Sequence, residues 1–233
     1  MSLENYESTT MKPEDFRVVY DEYENFLRRC GKIDFDDMLV FTYELLSERP
    51  DILKMWQNKF RYILIDEFQD INMIQYDIVK LLAGERQNVF SVGDDDQSVY
   101  GFRGAAPAIM KKFPEDFHGT VIEYLNVNYR CSYDIVECSK RIIQNNRDRY
   151  EKQLRSAFAV GQSDRVHIVK TDSMTEQNKK IIDRITELNR AGIPYREMAI
   201  IFRTNTEPRA LASKLIENGL SLKHISEPTR PIS

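Results

Sequence analysis

Two short apolar runs that end abruptly in acidic residues constrain the fold of this chain more than any other feature. The first covers residues 62–65 and is followed by Asp66 and Glu67, and the second covers residues 88–92 and is followed by the acidic residues 94–96. The segment between the runs spaces its apolar residues as a helix does. This order predicts two parallel strands joined by a crossover helix, hence an α/β fold. Both acidic groups are expected at the carboxyl edge of the sheet, where open α/β sheets bind ligands.

The acidic pair after the first run can support phosphoryl transfer. Asp66 is a candidate for holding Mg²⁺, directly or through water, while the metal also contacts nucleotide phosphates. Glu67 can then orient and deprotonate an attacking water. The alternative interpretation is that the pair merely ends a strand and caps the next helix. The end of the second strand favours the catalytic interpretation. Gln97 follows that strand, and from this position next to the first strand it could contact a bound phosphate.

The loop after Gln97 places aromatic rings beside a cation. Tyr100, Phe102 and Arg103 lie on a segment that Gly101 and Gly104 loosen. Aromatic rings next to an arginine can form a stacking platform for single-stranded bases. The alternative is that the rings belong to the core, but the glycines and the polar residues before the loop argue against that.

Two strings of the sequence resemble motifs of a known family. DEFQD (66–70) and VGDDDQSVYGFRGA (92–105) resemble the Walker B and third motifs of UvrD/Rep/PcrA-type superfamily 1 DNA helicases. The resemblance implies partial RecA-like lobes of P-loop NTPases, with parallel sheets flanked by helices. It also implies ATP and Mg²⁺ as cofactors, and single-stranded DNA and duplex junctions as partners. The implied activity is ATP-driven 3′ to 5′ movement on DNA, in processes such as DNA repair.

A third motif resemblance follows Asn128. Tyr129 offers a flat ring, and Arg130 offers a planar cation that can bind phosphate oxygens at two points. An arginine at the start of a helix could instead form a surface salt bridge. In the helicase family a Tyr-Arg pair after an Asn stacks on adenine and reaches the γ-phosphate, so the resemblance implies these roles for Tyr129 and Arg130.

Two shorter resemblances suggest further DNA contacts. The string IDFDDML (33–39) resembles a family segment whose aromatic residue touches DNA, which implies that role for Phe35, although its pattern alone predicts a core residue. The string AIIFRTN (199–205) resembles a family motif whose asparagine contacts the DNA backbone, and it implies that role for Asn205, with Arg203 as a further candidate.

The sequence contains no GxxxxGK[ST] loop, whose backbone amides cradle phosphates and whose lysine neutralises them. We therefore expect the chain to be an internal fragment of a helicase, with little or no ATPase activity in isolation because segments needed for activity are missing. Residues 1–125 are expected to form part of a first lobe with a helical lead-in over 13–58. Residues 126–220 are expected to form part of a second lobe, and residues 221–233 an unstructured or foreign tail.

Composition limits the kinds of partner and compartment. The formal net charge of −4 gives no global attraction to nucleic acid, so binding must depend on local groups. The three cysteines show no CxxC spacing, which favours a reducing compartment. No run is long enough for a membrane span, and the first residues lack a signal-peptide core, so we expect a cytoplasmic protein without membrane contact. The basic run 140–155 is interpreted as a solvated helix face.

Periodicity predicts further elements along the chain. Helices are expected to begin at Pro13 and Phe35, a further short helix is expected to include Pro50 and Trp56, and another is expected over 105–112 and to end at Pro114. Strands are expected over 120–125, 165–170 and 198–202, a turn over 161–164, and helices over 132–144, 174–191 and 208–218.

Two other function classes remain open at this stage. The chain could be a non-catalytic nucleic-acid-binding or interaction module on a helicase scaffold, but such a scaffold does not need Asp66, Glu67, Gln97 and Arg130 together. It could also be another Walker B ATPase, such as a transporter subunit, but that class does not need the aromatic loop.

Overall fold

The structure is a computed structural model that describes residues 11–106, 108–147, 149–160, 166–204 and 208–220, without the side chain of Arg103. The chain divides into two compact units, Met1–Arg165 and Val166–Ser233, and each is described by itself. Asn205, the predicted turn over 161–164 and the predicted tail over 221–233 lie outside the described residues.

The first unit begins with three helices whose ends follow local sequence signals. Helix α1 (Pro13–Cys30) has proline in its first turn and ends at Gly31, which takes the left-handed conformation with φ of 59°. Helix α2 (Phe35–Glu48) begins after Asp34, which forms a capping box with Asp37. Helix α3 (Pro50–Lys59) again starts with proline. The two predicted helix starts and the predicted short helix with Pro50 and Trp56 are confirmed.

The predicted β-α-β unit follows these helices. Strand β1 (Ile63–Ile65) runs parallel to strand β2 (Val89–Ser91), with Ile63 opposite Val89. Helix α4 (Met73–Ala83) connects them and begins with a capping box at Asn72. The prediction of two parallel strands with a crossover helix is confirmed, although each strand is shorter than its apolar run.

The core of the first unit lies on one face of this sheet. The ring of Phe68 packs edge-on against Phe113 with 5.3 Å between ring centroids, and Phe113 stacks on Phe117 at 4.6 Å. Ile63, Ile65 and Val89 pack against this cluster from the strands. On the alternate positions, Leu64 and Phe90 are 74% and 62% exposed. Because side chains alternate across a strand, the two sets occupy opposite faces of the sheet.

Helix α5 (Ala108–Asp116) corrects one prediction, because Pro114 lies inside the helix and does not end it. Proline has no N–H for the carbonyl four residues earlier, which belongs to Met110. The hydroxyl of Tyr150 donates a hydrogen bond to that carbonyl oxygen at 3.0 Å. A donor from a distant part of the chain therefore replaces the one that the helix lacks.

The three predicted strands over 120–125, 165–170 and 198–202 are wrong for the residues that the structure describes, since none of those residues forms strand. Strand β3 (Val127–Asn128) lies just after the first of these segments and pairs in parallel with strand β4 (Arg155–Ser156). Alternating apolar residues favour an extended chain, but a strand also requires a neighbour to pair with.

The remaining helices agree with their predictions to within a few residues. Helix α6 (Tyr133–Ile143) belongs to the first unit, and the second unit contains helices α7 (Met174–Arg190) and α8 (Arg209–Glu217). Leu211 and Leu215 of α8 are buried. Among the described residues, no helix combines the length and the apolar character that a membrane crossing requires.

The pairing of Tyr150 with the Met110 carbonyl predicts a non-additive effect of two substitutions. Tyr150→Phe should lower the free energy of unfolding by about 1 kcal/mol, because the carbonyl loses its donor. In a Pro114→Ala background the loss should be smaller, because Ala at position 114 restores an N–H within the helix. Urea unfolding of the four chains measures the coupling. Tyr124→Phe, which removes a hydroxyl from a neighbouring ring, is the matched control, and equal losses in both backgrounds would contradict the assignment.

Candidate nucleotide and nucleic-acid site

The two acidic strand ends are joined by one buried glutamine. Gln69 is 2% exposed, and its side-chain Nε2 donates to Oε2 of Glu67 at 3.0 Å. The backbone N–H of Asp94 donates to Oε1 of the same side chain, also at 3.0 Å. Both ends of the Gln69 amide are therefore satisfied, one by Glu67, two residues after β1, and one by the loop after β2.

This bridge continues to Gln97. The Nε2 of Gln97 donates to Oδ2 of Asp94 at 2.7 Å. A continuous path of hydrogen bonds therefore runs from the carboxylate of Glu67 through Gln69 and Asp94 to the carboxamide of Gln97. The candidate base and the candidate phosphate sensor lie at the same edge of the sheet.

The backbone at Glu67 is strained. Its φ of 53° and ψ of 44° place it in the left-handed region, which only Gln87 shares among the described residues other than glycine. A side chain in that region costs about 1–3 kcal/mol and persists where the surroundings hold it. Here the Glu67 N–H donates to Oδ1 of Asp66 at 3.0 Å, and Gln69 holds the carboxylate.

Close packing explains the glycine that follows β2. A Cβ atom at Gly93 would lie 2.9 Å from Oε1 of Gln69 and 3.2 Å from Cβ of Phe68. A larger residue would push apart the groups that join the two strand ends.

The three aspartates after Gly93 form a cluster that the chain itself neutralises. The ammonium of Lys152 pairs with Asp94, Asp95 and Asp96, and the guanidinium of Arg149 binds both oxygens of Asp96 at 2.7 and 2.6 Å. We call these five residues the ion cluster. The side chains of Arg149 and Lys152 are only 18% and 19% exposed, so the interpretation of the basic run as a solvated helix face is wrong for both.

Ion pairing sets the charge state of the ion cluster. Burial alone would raise the pKa of Asp94, but the hydrogen bonds and the charge of Lys152 outweigh it and hold that pKa below its usual range. The hydrogen bond from Arg149 lowers the pKa of Asp96. Burial opposes protonation of Lys152, yet its hydrogen bonds to the three carboxylates raise its pKa overall. Asp94, Asp96 and Lys152 are therefore ionised at neutral pH.

The predicted stacking rings follow directly after the ion cluster. Tyr100 precedes a 3-10 turn, Gly101–Arg103, and its ring centroid lies 5.9 Å from that of Phe102. Tyr100 is 38% exposed and Phe102 is 79% exposed, so the core alternative is wrong for Phe102. The side chain of Arg103 lies outside the described part of the structure.

The other predicted site residues lie on separate elements. Phe35 is the first residue of α2 and is 86% exposed, which makes its core interpretation wrong. Tyr129 is 76% exposed, and Oδ1 of Asn128 accepts hydrogen bonds from the N–H groups of Arg130 and Cys131 at 2.9 and 2.7 Å. The roles of these residues in binding stay predictions.

Sequence reasoning missed three residues that hold this site together. Gln69 lies inside the DEFQD string, and a polar residue two positions after the candidate base was the available signal. Arg149 and Lys152 carried no such signal, because they meet the aspartates from more than fifty positions away.

The parallel strands, the crossover helix and the acidic strand ends define an α/β protein of the RecA-like type. Residues 1–118 match the UvrD/REP helicase N-terminal domain, and residues 123–229 match the UvrD-like helicase C-terminal domain. The chain belongs to the UvrD/REP helicase family.

Individual relatives agree with this assignment. YjcD of Bacillus subtilis is 38% identical over 202 residues, which is 87% of this chain and 26% of YjcD. The ATP-dependent DNA helicase PcrA of Staphylococcus aureus is 35% identical over 214 residues, which is 92% of this chain and 29% of PcrA. PcrA of Staphylococcus epidermidis is 36% identical over 203 residues, covering 87% of this chain and 28% of PcrA. The chain thus spans less than a third of the length of these relatives.

The packing around Gly93 predicts a difference between two glycines of the same loop. Gly93→Ala should lower the free energy of unfolding by about 1–3 kcal/mol, because the new methyl group overpacks against Gln69 and Phe68. Gly101→Ala is the matched control, since a Cβ there meets nothing within 4 Å and its φ is not positive. Thermal and urea unfolding of both variants measure the difference, and equal stabilities would refute the close approach.

Proposed function

We propose that this chain carries the hydrolytic carboxylates and the DNA-stacking loop of an ATP-dependent 3′ to 5′ DNA helicase. The observation that carries the proposal is the hydrogen-bonded path from Glu67 through Gln69 and Asp94 to Gln97. Support also comes from the PcrA relatives, which are named as ATP-dependent DNA helicases. Single-stranded DNA and duplex junctions are the proposed substrates.

Each residue at the strand ends has a proposed part in ATP hydrolysis. Asp66 is exposed at the end of β1, and its carboxylate is of the type that holds Mg²⁺. When bound, Mg²⁺ would neutralise charge on the phosphates of ATP. Glu67 would take a proton from the attacking water, and Gln69 keeps its carboxylate in place for that step. Gln97 would sense the γ-phosphate, while Tyr129 stacks on adenine and Arg130 reaches the γ-phosphate.

The same loop offers a route from the nucleotide to DNA. Gln97 and Tyr100 lie only three residues apart, so a displacement of Gln97 would shift the paired rings of Tyr100 and Phe102. Phe35, Arg103 and Asn205 are proposed as further DNA contacts. Alternate displacement of these rings along one strand would produce translocation.

The proposed lobe boundary lies near residues 125–126. It is supported by the two family matches, which end and begin at residues 118 and 123. Leu64 and Phe90 are exposed on the sheet face opposite the core, whereas parallel sheets normally bury both faces. That exposure supports the proposal that residues 1–125 are only part of a lobe.

The cytoplasm is the proposed compartment. Cys30, Cys131 and Cys138 are all free thiols, as expected where thiols are kept reduced.

ATPase measurements test the catalytic part of the proposal. The 233 residues contain no GxxxxGK[ST] loop, so we expect the purified chain with Mg·ATP and single-stranded DNA to show no more turnover than its Glu67→Gln variant. Turnover that Glu67→Gln abolishes would show that the chain positions triphosphate without that loop. Such a result would overturn the expected inactivity while supporting Glu67 as the base.

DNA-binding measurements test the stacking part. Phe102→Ala should weaken binding of an oligothymidylate at low salt by about tenfold, because stacking of one base contributes about 1–3 kcal/mol. Phe26→Ala is the matched control, since Phe26 is 54% exposed on α1, away from the proposed platform. Fluorescence anisotropy reports both affinities. Equal affinities for Phe102→Ala and the unchanged chain would remove Phe102 from the DNA-binding site and favour a different interaction surface.

A further inference from the structure

The ion cluster joins two segments that the proposed function treats separately. One segment is the three-aspartate loop that leads to Gln97, and the other leads into β4, whose partner β3 precedes Arg130. We propose that Lys152 and Arg149 are positioning residues, which hold these two segments together so that Gln97 and Arg130 keep a fixed relation. This inference rests on the proposed function for the roles of Gln97 and Arg130, although the link itself is a property of the chain.

On the aspartate side, the carboxylate of Asp94 connects Lys152 to the side chain of Gln97. Oδ1 of Asp94 pairs with the ammonium of Lys152, and Oδ2 of the same group accepts the hydrogen bond from Gln97 at 2.7 Å. A displacement of Lys152 therefore moves the acceptor that holds the Gln97 carboxamide.

The cluster requires its cations. Carboxylate oxygens of Asp94, Asp95 and Asp96 lie within 4.8 Å of one another. Three like charges at that separation repel strongly in a partly buried place. Lys152 contacts all three carboxylates, and Arg149 binds both oxygens of Asp96. Removal of Lys152 therefore leaves a net repulsion among the carboxylates, which opens the three-aspartate loop.

On the other side, Lys152 lies three residues before β4. In the pairing of β3 with β4, Val127 lies opposite Arg155 and Asn128 opposite Ser156. The hydroxyl of Ser156 also donates to the carbonyl oxygen of Cys131 at 2.8 Å.

The turn that carries Arg130 is held by the partner strand. Oδ1 of Asn128 accepts the hydrogen bonds from the N–H groups of Arg130 and Cys131, and Ala157 donates its N–H to the carbonyl oxygen of Asn128 at 2.8 Å. A shift of β4 is therefore transmitted to the turn that presents Arg130.

Tyr150 fixes the segment between Arg149 and Lys152. Its N–H donates to Oδ2 of Asp95 at 2.6 Å, and its hydroxyl donates to the carbonyl oxygen of Met110 on α5. The segment is therefore anchored on the aspartate loop and on a helix of the core. The segment is therefore held at both of these contacts.

The test uses nuclear magnetic resonance on the isotopically labelled 233-residue chain, without nucleotide or DNA. We expect Lys152→Met to displace the side-chain amide signals of Gln97 and also the backbone amide signals of Arg130 and Cys131. Lys152→Arg, which keeps the charge, should restore them towards their original positions. Lys140→Met is the matched control, because Lys140 pairs with Glu137 on α6 at 2.7 Å and should displace none of these signals.

A pH titration of the unchanged chain tests the link even if Lys152→Met fails to fold. The charged groups around Asp94 are Lys152, which pairs with it, and Asp95, Asp96 and Arg149, which belong to the same cluster. Glu67 is connected to Asp94 through the side chain of Gln69. Because the pKa of Asp94 is lowered, the stabilising charge is complete above the ordinary carboxyl range and is lost as pH falls through the lowered pKa. The Gln97 and Arg130 signals should titrate there with one shared midpoint. In a folded Lys152→Met chain the midpoint should rise, because Asp94 loses the hydrogen bond and the charge of Lys152.

Two results would overturn the inference. One is a Lys152→Met spectrum in which Gln97 moves while Arg130 and Cys131 stay in place. The other is a set of separate midpoints for Gln97 and Arg130 in the unchanged chain. Neither result bears on ATP or DNA binding, so the inference can fail while the proposed function stands, and the reverse also holds.

Discussion

The buried amide of Gln69 is the interaction on which the rest of this structure depends. It connects Glu67, which follows β1, to the loop after β2, and both of its polar ends are used. A buried amide without partners would cost about 1–3 kcal/mol, so the two strand ends and the glutamine hold one another in place. Together with the backbone hydrogen bonds from Val92 to Ile65 and from Phe68 to Val92, this side chain sets the position of Gln97 relative to Glu67, and through it that of the aromatic loop.

The site contains strain that its surroundings offset. Glu67 takes a left-handed backbone conformation, and Gly93 lets a second backbone approach the Gln69 side chain within van der Waals contact. Strain that is concentrated at the junction of two strands is typical of a place where chemistry fixes the geometry. The ion cluster adds a second constraint at the same edge.

The sequence predicted the features that local periodicity determines. The β-α-β unit, the capping of α2 at Asp34 and the acidic strand ends all follow from patterns that are continuous in the sequence. The failures share a non-local cause. The predicted strand over 120–125 had no partner to pair with, and Pro114 stays inside α5 because the Tyr150 hydroxyl supplies the missing donor. Lys152 contacts Asp94 across 58 residues of sequence, and no local pattern predicts such a contact.

The bridging role of Gln69 is tested by a scalar coupling across the hydrogen bond between the Asp94 N–H and the side-chain carbonyl of Gln69. A long-range HNCO experiment on the labelled chain detects that coupling only when the two groups share the bond. We expect a cross-peak between the Asp94 amide nitrogen and the Gln69 side-chain carbonyl carbon, together with slow exchange of the Asp94 amide proton. No cross-peak and an amide that exchanges as fast as an exposed loop would mean that Gln69 does not bridge Glu67 and Asp94, and the path from Glu67 to Gln97 would be broken.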